Sequence, residues 1–183
     1  MSFLRLRKTA PQDPLIVSVA GVRLGQRVLA IAGADLGPVW ELAAKVGLTG
    51  RALVLVADDN AVARATEQST RRGVLVDVAV LTVPLPIPEE QFDVVLLDDR
   101  TSRTKAADRD ALLSHIVRAL RPGGRVIVMV AAPGSLLTRW LGSEQPPDVG
   151  PLLEGLRLAG FRAGRLVAAR QGVGFVEAAR PAD

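Results

Sequence analysis

Short, uninterrupted apolar runs recur along this chain, and most are followed by a stretch whose apolar residues fall three and four apart. Arg27 to Ala32 (RVLAIA), Ala52 to Ala57 (ALVLVA), Val74 to Leu81, Asp93 to Leu97 and Arg125 to Val130 (RVIVMV) are the runs. A strand covered on both faces needs apolar side chains on both sides of the pleat, so such runs mark parallel strands buried between helices. Gly37-Pro38 opens a helix with Val39, Trp40, Leu42, Ala43 and Val46 on its apolar side, and Gly47 is placed to end it. Residues 59–72 form a second helix, with Asp58 and Asp59 at its start and Arg71 and Arg72 at its end, matching the helix dipole. From Lys105 to Leu120, the residues Leu112, Leu113, Ile116, Val117 and Leu120 share one face, until Arg121-Pro122-Gly123-Gly124 stops the helix. Asp13-Pro14 reads as an N-cap and first helical residue of a short helix reaching Arg23, and Pro151 to Ala159 as a last helix closed by Gly160.

Two final strands, 162–169 and 173–179, form a hairpin-like pair around Gly172 and Gly174. The alternation predicts an α/β fold: a Rossmann-like, doubly wound, mostly parallel seven-stranded sheet whose antiparallel strand is the C-terminal one, at or near an edge. The expected organisation is one domain over 1–183, with a tail and helix over 1–24 and the core over 25–183. Ligands of such sheets bind outside the carboxyl ends of the strands, which directs attention to the loops after Ala32, Ala57, Leu81, Leu97 and Val130.

Composition narrows the function. The net charge is +4, but the basic residues are dispersed apart from Arg5-Leu6-Arg7-Lys8, and only six residues are aromatic. Nucleic-acid proteins concentrate charge on one face and add stacking platforms, so this pattern argues against a nucleic-acid partner. Cysteine is absent, which excludes disulfides and thiolate metal sites. There is neither an apolar run of about 18 residues for a membrane span nor the apolar stretch of a secretory signal near Met1, so a cytoplasmic location is the expectation.

Four segments, in order, give the pattern a family. Lys45 to Asp58 (KVGLTGRALVLVAD) resembles the helix end, Thr-Gly turn and acid-tipped second strand of class I S-adenosylmethionine-dependent methyltransferases. Leu85 to Val95 (LPIPEEQFDVV) is similar to their Leu-Pro-Phe-Pro segment before the fourth strand. Leu120 to Val128 (LRPGGRVIV) matches their turn into the fifth, and Gly160-Phe161 with Gly174-Phe175 fits the closing hairpin. The ubiquinone/menaquinone-biosynthesis type is the nearest in character. The resemblance spans roughly residues 25–180 and implies a methyltransferase with S-adenosylmethionine as cofactor and a small molecule as substrate.

The family carries Asp/Glu-x-Gly-x-Gly-x-Gly at the end of its first strand. Here Ala30 stands at the acid position, and Ala32, Ala34 and Leu36 at the glycines, while Gly33 and Gly37 fall out of register. Two accounts compete. Either alanine replaces glycine where φ is negative and Asp35 supplies a carboxylate from the loop, or the site has decayed and the domain persists as a protein-binding scaffold without catalysis. A weaker alternative is an RNA methyltransferase using the basic surface.

By resemblance the cofactor site comprises Ala32, Gly33, Ala34, Asp35, Asp58, Thr82 and Val83. A carboxylate at the end of the second strand suits ribose hydroxyls, which assigns Asp58 to them unless Asp58 or Asp59 merely caps the helix. Thr82 could offer its hydroxyl and Val83 could pack on the adenine, or both could simply end a strand. Asp98, after the fourth strand, is the candidate catalytic or substrate-facing residue, or else it caps the loop with Arg100. No metal is expected, because Ala131-Ala132 stands where metal-dependent relatives carry Asp-Asn. His115, the single histidine, lies in mid-helix, more in keeping with a boundary residue than with a base. The segment Ser135 to Gly142, with Leu136, Leu137, Trp140 and Leu141, is either a lid or a docking face for a protein partner or a second copy.

Overall fold

The computed structural model describes residues 14–101, 106–132, 146–170 and 172–182. Twelve elements follow in chain order: α1 (Leu15–Ala20), β1 (Arg27–Ile31), α2 (Gly37–Val46), β2 (Arg51–Val56), α3 (Asp59–Arg72), β3 (Asp77–Val80), β4 (Phe92–Asp99), α4 (Ala106–Ala119), β5 (Leu120–Ala131), α5 (Gly150–Leu158), β6 (Arg162–Arg170) and β7 (Val173–Ala179). The seven strands lie in the order β3-β2-β1-β4-β5-β7-β6. β1 to β5 pair in parallel, and β7 runs antiparallel to both of its neighbours. The expected sheet is therefore the one observed, and its single reversed strand is the C-terminal one, one position from the edge.

Alternate residues of each central strand feed two apolar layers. Leu29, Ile31, Leu55, Val95, Leu97, Val126 and Val128 face α4 and α5, where Leu113, Ile116 and Leu156 meet them. Val28, Ala30, Val54, Val56, Leu96 and Ile127 face α1, α2 and α3, where Ile16, Trp40, Leu42 and Val46 meet them. Burying a Leu, Val or Ile contributes about 1.5–3 kcal/mol, so these two layers are the main source of stability. Trp40 donates its indole N–H to Gln68 Oε1 at 3.2 Å, tying α2 to α3.

Boundaries differ where local signals compete with tertiary contacts. Pro14 is the N-cap of α1, with ψ at 146°, not its first helical residue, and Gly21 in the left-handed region ends the helix before Arg23. Asp13, the expected cap, lies outside the described residues. β3 pairs only from Asp77, opposite Leu53, so Val74 to Val76 precede the ladder. β5 begins at Leu120, straight out of α4, since Leu120 pairs with Phe92 before the register shifts; the Pro-Gly-Gly turn is thus a bulge inside a strand. Gly123, with φ at +73°, supplies the backbone conformation that this bulge needs. Among the described residues, no helix is long and apolar enough to cross a membrane.

Candidate cofactor cleft

A cleft of about 420 Å³ opens at the carboxyl edge of the sheet, where β1, β2 and β4 end side by side. Its walls are Ile31, Val56, Leu81, Leu97 and Leu112, with Leu36 and Ala61 toward the α2–α3 side. Ala32, Gly33 and Ala34 form its rim on the β1–α2 loop, and Asp58, Arg64, Gln68, Asp98 and Thr101 are its polar groups. An apolar cleft of this size with a few convergent polar groups suits a small organic ligand, for which pockets of about 300–1,000 Å³ are usual.

Asp58 stands where β2 gives way to α3. Its Oδ1 accepts the Ala61 N–H at 2.7 Å, so Asp58 is the N-cap of α3 and Asp59 its first residue. The capping and cleft-lining positions coincide: among the described residues nothing bonds Oδ2. Arg64 and Gln68 follow on the same face of α3, a pair that sequence reading did not single out. Their spacing from Ala61, three and seven residues on, is the signal that could have found them.

The β1–α2 loop settles one question of conformation. Among the described non-glycine residues only Glu90 and Ala163 have positive φ, so Ala32, Ala34 and Leu36 lie in regions open to any L-residue. Gly33 is different. A Cβ there would lie 2.6 Å from Asp98 Oδ2 and 3.0 Å from Asp98 Cγ, so a bare α-carbon is what admits the Asp98 carboxylate. Ala30 is buried in the α2-side apolar layer, 2% exposed, leaving the end of β1 without a carboxylate.

Asp98, Arg100 and Asp35 form one charged cluster. Arg100 donates from N and Nε to Asp98 Oδ1 at 3.2 and 2.8 Å, and from Nη2 to Oδ2 at 2.7 Å. Its Nη1 and Nη2 both reach Asp35 Oδ2 at 3.3 Å, while Asp35 Oδ1 accepts the Gly37 N–H at 2.9 Å. Hydrogen bonding to Asp98, ahead of every other influence, raises the guanidinium pKa further. Next to it, Asp99 turns to the opposite face and pairs with Arg109 Nη1 at 3.6 Å; burial pushes its carboxyl above the usual range.

Of the residues expected from the sequence, the structure brings Ala32, Gly33, Ala34, Asp58 and Asp98 to one cleft, with Asp35 adjoining through Arg100. Thr82 and Val83 are not in its lining: the Thr82 hydroxyl donates to the Pro84 carbonyl at 3.0 Å, and Val83 is 54% exposed. Leu81 lines the cleft at that point instead. Among the described residues no group of three or more His, Asp or Glu side chains could hold a metal ion. Ser135 to Gly142 lies outside the described residues.

Residues 32–128, from the rim of the cleft into β5, match the methyltransferase domain family. The chain belongs to that family. Curated relatives of this methyltransferase domain include the ubiquinone/menaquinone biosynthesis C-methyltransferases UbiE of Serratia proteamaculans, 28% identical over 116 residues, and of Ectopseudomonas mendocina, 33% identical over 125. The alignments cover 62% and 66% of this chain but only 45% and 48% of those proteins, so the chain matches about half the length of its curated relatives. In fold, the methyltransferase domain is similar to an S-adenosylmethionine-dependent methyltransferase from Aquifex aeolicus, with a TM-score of 0.74 at 18% identity over 90% of this chain and 87% of that one. It is also similar to the [4+2]-cyclase SpnF, with a TM-score of 0.68 at 18% identity over 92% and 79% of the two chains.

Proposed function

We propose that this chain binds S-adenosylmethionine in the β1–β2–β4 cleft and transfers its methyl group to a small molecule. The observation that carries the reading is the juxtaposition, in one cleft, of the β2-end carboxylate with apolar walls from β1, β2, β4 and α4 and from Leu81 just after β3. The residues fit the group. Asp58 Oδ2 would accept from the ribose hydroxyls, and Leu81, Leu97 and Leu112 would enclose the adenine. Ala32, Gly33 and Ala34 would border the methionine portion, as they line the β1 side of the cleft. When bound, the cofactor supplies a methyl group on a sulfonium, which any aligned nucleophile can accept. The chain's own task is then chiefly alignment and exclusion of water, for which no general base is indispensable. Asp98, engaged by Arg100, contributes a fixed charge to the cleft.

Calorimetric titration with S-adenosylhomocysteine tests this reading: saturable binding is expected, and Asp58→Ala weakens it by about 1.5–3 kcal/mol through lost charge-assisted hydrogen bonds. Asp59→Ala should change little, because Asp59 is not in the cleft lining. No saturable binding would favour a second reading, a methyltransferase-like scaffold without turnover, for which the buried Ala30 in place of a carboxylate is the specific support.

A further inference from the structure

We infer that Asp98 and Arg100 form the subsite for the amino-acid end of the cofactor, with Asp98 receiving the α-ammonium that β1 has no carboxylate to hold. The inference rests on the cofactor reading above. An α-amino acid is a zwitterion, and its complement is a fixed carboxylate beside a fixed guanidinium. That pair stands at the edge of the cleft: Asp98 lines it, and Arg100, just outside the lining, is joined to Asp98 by three hydrogen bonds within one stretch of chain.

Three observations place the ammonium on Asp98. First, the Asp98 side chain is only 6% exposed, yet it belongs to the cleft lining. A charge held in a site poor in water acts more strongly than one in solvent. Second, Oδ2 accepts one hydrogen bond, from Nη2, and so keeps acceptor capacity, whereas Oδ1 already takes two. Oδ2 is also the oxygen seated against the bare α-carbon of Gly33, on the rim of the cleft. Third, the charges do not balance. Asp35 and Asp98 share Arg100, which leaves the cluster one negative charge in excess. An ammonium beside Oδ2 offsets that excess at Asp98 itself, while the zwitterion as a whole is neutral and leaves the total of the cluster unchanged.

Arg100 serves the carboxylate of the same zwitterion. Its grip on Asp35 is long, 3.3 Å from both terminal nitrogens, and Asp35 is 61% exposed. A ligand carboxylate can therefore share these donors with Asp35 while the shorter bonds to Asp98 stay intact. Asp35, the loop carboxylate expected to stand in for the missing acid, is in this arrangement a tether that brings Arg100 to the start of α2.

The experiment compares two ligands on the wild-type chain and two variants. S-adenosylhomocysteine carries the amino-acid end; 5′-methylthioadenosine has the same nucleoside and thioether without it. Wild type should prefer the former by at least about tenfold, and Asp98→Asn should erase that preference by weakening S-adenosylhomocysteine about ten- to a hundredfold while leaving methylthioadenosine unchanged. Gly33→Ala, whose new methyl displaces the Asp98 carboxylate, should produce the same selective loss by an independent route. Equal affinity of wild type for the two ligands overturns the inference, as does a variant that weakens both alike. If neither ligand binds wild type, the cofactor reading itself fails, which is a different result from methylthioadenosine binding with no added gain from the amino acid.

Discussion

Under the proposed function Asp58 has a task for each of its two oxygens, capping α3 and holding the ribose, and substitution can separate them. Asp58→Ala removes the cap on α3 and should lower stability by about 0.5–2 kcal/mol, whereas Asp58→Asn retains an acceptor for the Ala61 N–H and should cost little. Urea unfolding distinguishes the two variants, and both should lose cofactor affinity. Asp99 has a different signature. Burial holds its carboxyl above the usual carboxylate range, against the opposing pull of Arg109. Folding therefore favours the protonated acid: this contribution is fully present below the usual carboxylate pKa and is lost as pH rises through the raised value. Unfolding of Asp99→Asn, followed between about pH 4 and 7, should show a flatter loss of stability with rising pH than wild type. Asp58 and Asp98 were legible in the sequence because each sits directly after an apolar run. Arg64 was not, because an arginine among twenty in the chain reveals its partner only once the chain has folded, and Arg100 was expected only as the loop partner of Asp98, not as its link to Asp35.

Helix ends show the same division between local and distant causes. Gly21 and Gly73 take left-handed conformations that close α1 and α3, a local cause, and at Gly21 it acts before the Arg23 expected from the sequence. The carbonyls these ends expose are another matter. Arg125, on β5, donates to the Ala20 and Gly21 carbonyls, a contact across more than a hundred residues of sequence. Arg180, after β7, donates to the Val117, Arg118 and Leu120 carbonyls where α4 passes into β5 without a turn, and pairs with Glu90 at 2.6 Å. Arg125→Ala should therefore loosen α1 locally. Faster amide hydrogen exchange over residues 17–21 with unchanged exchange in β4 is the expected result, at a cost of about 1 kcal/mol for a side chain still partly in water. Uniformly faster exchange would show that Arg125 supports the sheet as a whole.

At the scale of the molecule, the cleft is a consequence of strand order. β1 lies between β2 and β4, so the chain leaves β1 toward one side and re-enters for β4 on the other, and a crevice forms between the departing loops. A ligand there bridges β1, β2 and β4 and should resist their separation. Binding to the native state alone stabilises by about 2.7 kcal/mol when the ligand is a hundredfold above its Kd, so S-adenosylhomocysteine should raise the thermal midpoint in a concentration-dependent way. Asp58→Asn should shift that response to higher ligand concentration, as read by scanning calorimetry.

The sequence by itself determined the strand and helix alternation, the parallel sheet and the reversed last strand, because these rest on periodicity and on turn residues that act within a few positions; the methyltransferase family came instead from the resemblance of four ordered segments. The sequence also specified the composition of the β1–α2 loop, but not that Ala32, Ala34 and Leu36 would sit without strain, which depends on backbone angles. Only the tertiary structure decided that Thr82 and Val83 stand outside the cleft, since Thr82 turns its hydroxyl to Pro84 instead. And only the fold could bring Asp98 against Gly33, 65 residues away, and hang Asp35 on Arg100. A contact between distant segments has no local cause: it exists because β1 and β4 are neighbours in the sheet, and the free energy that makes them so is spread over two apolar layers, not written into the residues that meet.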